Sequence, residues 1–212
     1  MMPSLASIHP QVVHFTIVLA IIGAAFRVIS LLGRPKWISP AATTLLLLAA
    51  LAGYVSSQSG TAAHGPIERI PGVRPAVQEH EEWGERARNA LLILGVIELV
   101  GLVMWKSSKV NLVHGVAAIG ALICVGVVYE AAEHGGDLVY SYAGGPGIRT
   151  GDQKDTERLL LAGYYNQAMA DRKAGRSDSA AQLIKDAAAR YSRAPATTSC
   201  FGHRGFFQCS TF

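Results

Sequence analysis

Four long stretches of this chain are almost purely apolar, and the polar residues between them fall into short, separate groups. Val12–Leu32 is interrupted only by Arg27. At 1.5 Å of rise per residue it is long enough for one helical crossing of a hydrocarbon layer of about 30 Å. Residues 41–60 form a second run that dissolves into Ser56-Ser57-Gln58-Ser59-Gly60, residues 87–105 a third that encloses Glu98, and residues 110–132 a fourth. The connections near 33–40 and 106–109 are short, so consecutive helices should run antiparallel. The pattern predicts an all-α membrane protein: an up-down four-transmembrane-helix bundle over residues 1–148, then a helical hairpin extension at 149–193 and an irregular tail at 194–212. Small residues such as Gly23, Gly53, Gly95 and Gly120 suit close helix packing in lipid.

Composition agrees. Half of the 212 residues are hydrophobic and 16% are charged, against roughly 25% charged in a soluble domain. No basic helix or basic-aromatic cluster points to nucleic acid. No Lys or Arg precedes the first apolar run and no small-residue cleavage site follows it, so it reads as a retained span and not as a removed signal peptide. Arg34, Lys36, Lys106 and Lys109 fall in the two short connections with no acid beside them. The positive-inside rule puts that side in the cytoplasm and both termini on the opposite side, in the periplasm or exterior.

That orientation gathers His9, His14, His64, His80 and His134 on the outer side, with His114 alone near the inner side. Interfacial imidazoles bonded to backbone and water are the ordinary outcome at helix ends. The sharper expectation is a b-type haem between two axial imidazoles. Diagonal helices of a square bundle lie about 13 Å apart, which suits imidazole, iron and imidazole in line. Spans one and three form such a diagonal, so His14 and His80 are the expected axial ligands, with His9 and His134 as alternatives. Glu79 or Glu81 could orient an imidazole. A zinc or copper site of His and Glu is the lesser alternative, since His80-Glu81-Glu82-Trp83-Gly84 lacks the second histidine of HExxH and no CxxCH occurs. Arg27, Glu98 and His114 lie at similar depths in three spans, where intramembrane charges are usually paired. A register clamp, a proton path or a second haem site are the options there.

Ile8-His9-Pro10-Gln11-Val12-Val13-His14-Phe15, Ser59-Gly60, His80-Glu81 and Gly135-Gly136-Asp137-Leu138-Val139-Tyr140 occur together. In that combination residues 5–148 resemble the bacterial membrane family called domain of unknown function 2231. The resemblance implies a four-helix membrane protein with a haem or redox role, some members being joined to or encoded with cytochromes. It carries His9, His14 and His80 over better than Arg27 or His134, and Thr16 stands where family openings usually have proline. The paired glycines 135 and 136 are expected to end span four in a tight turn.

In the extension, Gly175 should end one helix and Ser177 cap the next. The spacing of Gly175, Ala180 and Ala187 is similar to a single tetratricopeptide repeat with Tyr164 as its aromatic, although Gln167 and Asp171 depart from the pattern. One repeat cannot bury its own face, so it should dock on a partner subunit. Cys200 and Cys209 could form a disulfide outside the cytoplasm, whereas Cys124 is a packing residue. Phe201, Phe206, Phe207 and Phe212 make the tail adhesive. Three functions follow. One is a haem b electron-transfer subunit of a larger respiratory or photosynthetic complex, not an enzyme on its own. The second is a cofactor-free structural subunit whose extension docks on its neighbours, and the third is a metal-handling or transport protein.

Overall fold

A computed structural model describes residues 5–33, 35–68, 70, 72–144 and 153–191. Every regular element among them is helical: α1 (His9–Ser30), α2 (Ile38–Ile67), α3 (Arg74–Val103), α4 (Val110–Tyr140), α5 (Gln153–Lys173) and α6 (Ser177–Tyr191), with a single 3-10 turn, Ala6–Ile8, ahead of α1. Pro10 and Pro75 sit in the first turns of α1 and α3, where a missing N–H costs nothing. The chain divides into two compact units, residues 1–152 and 153–212.

In the first unit the helices pack in a ring: α1 on α2, α2 on α3, α3 on α4 and α4 back on α1. The two diagonals are therefore α1 with α3 and α2 with α4. The ring closes on small residues and a few leucines, namely Ala20, Ala24, Leu46, Ala49, Leu91, Leu94, Ala117, Ala121 and Cys124. Gly53 shows why: a Cβ there would stand 2.7 Å from a Leu91 methyl. The outer face is apolar too. Phe15 and Val18 on α1, Leu51 on α2, Ile93, Val96 and Val103 on α3, and Leu112 and Ile119 on α4 are all exposed. Water would penalise such a surface, and lipid would not. Ala6–Ser30, Ile38–Gly65 and Val110–Tyr140 are long and apolar enough to cross a membrane.

One end of the bundle, here the base, carries the connections after α1 and after α3. At the other, the mouth, the helices run further than the apolar runs require. Residues 61–86, between the second and third apolar runs, are helical except for a short connection between Ile67 and Arg74, turned by Gly72 with φ +83°. Ile67, Val73, Val77 and Leu138 form a second small core there. Its four apolar residues, scattered among charges, give the helix ends a reason to continue past the long apolar runs. Gly135 and Gly136 likewise lie inside α4, which continues to Tyr140, instead of ending it.

In the second unit, α5 and α6 form a hairpin turned by Gly175 at φ +77°. Ala168, Ala180 and Ala187 are buried between them. Asp171, which departs from the repeat pattern, is 5% exposed. It accepts hydrogen bonds from Arg176 (2.7 Å) and Gln167 (3.0 Å), clasping the turn. Residues 194–212, with Cys200 and Cys209, lie outside the described residues.

Candidate functional site

Every bundle helix brings a histidine to the mouth: His9 from α1, His64 from α2, His80 from α3 and His134 from α4, with His14 a little further along α1. His9, His64 and His80 line a cleft of about 90 Å³. Its walls are mixed. Val13, Ile17, Leu91 and Val128 supply apolar surface, whereas Ser56, Ser57, Thr61, Glu81, Glu85 and Arg88 supply polar groups. The Arg88 guanidinium donates to Ser57 Oγ (3.2 Å) and to Glu85 (3.3 Å), so its charge is already partnered.

His9 and His80 are set in the same way on two different helices. The Ser59 hydroxyl donates to the Ser56 carbonyl at 2.9 Å. The Nδ1–H of His9 therefore donates to Ser59 Oγ (2.9 Å) and to the Ser56 carbonyl (3.1 Å). The His9 ring lies against Gly60, where a Cβ would be 3.1 Å from its Cε1. The Nδ1–H of His80 donates to the Ala131 carbonyl on α4 at 3.0 Å. Its ring lies against Gly135, where a Cβ would be 2.9 Å from Cε1. A carbonyl can only accept, so both rings carry their proton on Nδ1 and leave Nε2 with a bare lone pair. Among the described residues neither Nε2 has a hydrogen-bond partner. The rings meet edge to face, with centroids 6.3 Å apart and planes at 71°. Burial pushes the His80 pKa down to about 4, helped by the nearby His9, with His64 and His134 adding to it and the Ala131 bond opposing it. Neutral imidazole is its resting form near pH 7.

The other expected residues are placed differently. His14 is exposed, and its Nδ1–H folds back onto the Pro10 carbonyl at 2.5 Å. The structure brings His9 to His80, and not His14. The reason is helical phase: α1 begins at His9, and a position five residues further on does not share its face. His134 stacks on Trp83 (centroids 6.1 Å, planes 14° apart) with Glu79 at 3.8 Å, and Arg86 covers the Trp83 ring. Glu79 thus faces His134, while Glu81 lines the cleft. Among the described residues no group of three or more His, Cys, Asp or Glu is arranged to hold a metal ion by itself. Ser59, Gly60 and Gly135 stood out in the sequence as motif positions. Their job as seats for two imidazoles needed the helix pairing to become visible.

Toward the base, Arg27 and Glu98 pair across the α1–α3 diagonal, and both side chains are fully buried. Arg27 Nε donates to Glu98 Oε1 at 2.8 Å and a terminal nitrogen donates to Oε2. Thr43 of α2 receives a bond from Arg27 (2.6 Å) and donates one to Glu98 (2.9 Å). Ser39 and Ser30 accept from the remaining nitrogen at 3.1 and 3.3 Å. This satisfies the pair well, as a buried ion pair requires. His114 of α4 packs beside Gly101 of α3. Between this cluster and the mouth lies the packed layer of Ala20, Ala24, Leu46, Ala49, Leu91, Leu94, Ala117 and Ala121.

The family described as "Predicted membrane protein (DUF2231)" matches residues 6–146. No curated protein matches the chain, and no solved structure does.

Proposed function

The chain belongs to the DUF2231 family of membrane proteins, and from that premise we propose a four-span protein of the bacterial inner membrane that holds a b-type haem at its mouth and passes electrons to neighbouring subunits. In this reading α3 crosses as well as α1, α2 and α4. Its outward residues Ile93, Val96 and Val103 are as apolar as those of the other helices. Trp37 and Trp105 at the base, the latter beneath Lys106, suit one membrane interface, and Trp83 suits the other. Lys36, Lys106 and Lys109 put the base in the cytoplasm, so the mouth and both termini face the periplasm.

The observation that carries the haem reading is the matched pair His9 and His80. They stand on diagonal helices, each with Nδ1 held by a backbone carbonyl and Nε2 free to ligate. That is the tautomer and the support an axial imidazole needs. The two ring centroids stand 6.3 Å apart at the mouth. The haem supplies one-electron transfer. His9 and His80 would hold its iron, Val13, Ile17, Leu91 and Val128 would flank it with apolar surface, and Arg88 would stand at the cleft. The demanding part is space. The cleft of about 90 Å³ is smaller than a porphyrin, so admitting one requires the mouth to widen.

That last fact favours a second reading. Here His9 and His80 are staples that hold α1 to α2 and α3 to α4 through polar contacts at the membrane surface, in a cofactor-free structural subunit. In either reading the α5–α6 hairpin is the part available to soluble partners. A pyridine haemochrome spectrum of protein purified from haem-replete cells separates the two. The haem reading expects a low-spin b-type spectrum that is lost in His9→Ala and in His80→Ala and kept in His14→Ala. Protein with no Soret band, folded and stable, leaves the structural reading.

A further inference from the structure

By length and composition α1, α2 and α4 each contain a stretch long and apolar enough to cross a membrane, and α3 falls short. Its apolar half runs from Ala87 to Val103, with Arg86 and Arg88 at its start and Glu98 inside it. An ionised carboxylate at that depth opposes insertion strongly. In the folded bundle the charge is met from two other helices, by Arg27 on α1 and by Thr43 on α2. The two partners are not equivalent. Arg27 lies in the last turn of α1, near the base. Its long side chain could reach the interface if Glu98 were gone. Glu98 has a short side chain, and Val100, Leu102 and Val103 follow it before the helix ends.

We propose that the third crossing is conditional: α3 enters the membrane only when Arg27 of α1 is there to receive Glu98. This rests on the four-span reading above. The order of events follows from it. α1 and α2 are made first and insert as an apolar hairpin that already presents Arg27, Ser39 and Thr43. The Glu98 carboxylate then docks into donors that are in place. Two of its acceptor sites meet the guanidinium and one meets the Thr43 hydroxyl. The rest of the α3 inner face, Leu91, Leu94 and Gly95, packs on the core that α1 and α2 have begun.

The conditional crossing makes an asymmetric prediction that a simple clamp does not. In a clamp, removing either charge orphans the other, so both single variants suffer alike. In a conditional crossing, Arg27→Leu strands Glu98 and α3 fails to insert. Glu98→Leu makes α3 more apolar and it inserts unaided. Arg27→Leu/Glu98→Leu restores the crossing.

The test is labelling of single cysteines in intact cells by a membrane-impermeant maleimide, in full-length protein whose own cysteines are replaced (Cys124→Ala, Cys200→Ser, Cys209→Ser). Glu68→Cys reports the mouth and Ser108→Cys the base. In otherwise unchanged protein the two reporters label from opposite sides. Labelling from the same side sinks the four-span reading itself. Given opposite sides, Arg27→Leu should raise outside labelling of Ser108→Cys about tenfold or more, with Glu98→Leu and the double variant near the starting level. Unchanged labelling in Arg27→Leu, equal gains in both single variants, or no recovery in the double variant would each overturn the proposal while leaving four spans intact.

Discussion

His80 rests on Gly135: a methyl group added to that glycine would stand 2.9 Å from the imidazole Cε1. The glycine is there to let a ring from α3 reach a carbonyl of α4, and its backbone is ordinary helix. The same relation, slightly looser, joins His9 to Gly60 at 3.1 Å.

Gly135→Ala should therefore destabilise the bundle even though alanine is the better helix former. Displacing the ring costs about 1–3 kcal/mol, more than the roughly 1 kcal/mol gained in propensity. Gly60→Ala should cost less. Gly126→Ala, where an added Cβ meets nothing within 4 Å, should be neutral or mildly stabilising. Thermal unfolding in detergent ranks the three, and Gly135→Ala matching Gly126→Ala contradicts the seat.

His14→Ala should leave stability within about 0.5 kcal/mol of the parent, as expected of an exposed side chain. His9→Ala removes the only donor from α1 to Ser56 and Ser59 among the described residues and should cost about 1–3 kcal/mol. Equal effects in the two variants would mean that the ring assignment at the mouth is wrong.

Acidification should loosen the mouth. The folded pKa of His80 is about 4, depressed mainly by burial, whereas the unfolded value is about 6.5. Between those values the unfolded chain binds more protons, so stability falls as pH drops from about 6.5 toward 4 and loses nothing further from this group below that. The loss from this one group is on the order of 3 kcal/mol. Hydrogen exchange across residues 60–64 and 131–135 should accelerate over that window, and His80→Gln should flatten the response.

Thr43→Val should cost about 1–3 kcal/mol, since it strips one acceptor from Arg27 and one donor from Glu98 without changing side-chain shape much. Thr43→Ser should recover most of it. Denaturation of the purified protein reads both.

Asp171→Ala should weaken the hairpin alone. It breaks the bonds from Arg176 and Gln167, charge-assisted contacts of about 1.5–3 kcal/mol. Protease sensitivity within residues 153–191 should rise while the bundle stays resistant. Cleavage appearing in both units would count against their separate stability.

Apolar runs too long for a soluble core, and polar breaks of the right length, determined by themselves that this chain is helical and belongs in a membrane. They also placed Arg27 and Glu98 at one depth, because helical rise converts residue number directly into height. Azimuth is what the sequence did not carry. Whether His9 or His14 turns toward His80 depends on where α1 begins its first turn and how it rolls against α2, and a shift of a few residues reverses the answer. The mouth was misread for a related reason. Ile67, Val73, Val77 and Leu138 come from three separated segments, and only their meeting in space supplies the burial that keeps α2, α3 and α4 helical beyond their apolar runs. Height follows from counting along one chain, whereas facing and seating are properties of helix pairs, so only the tertiary structure decided them.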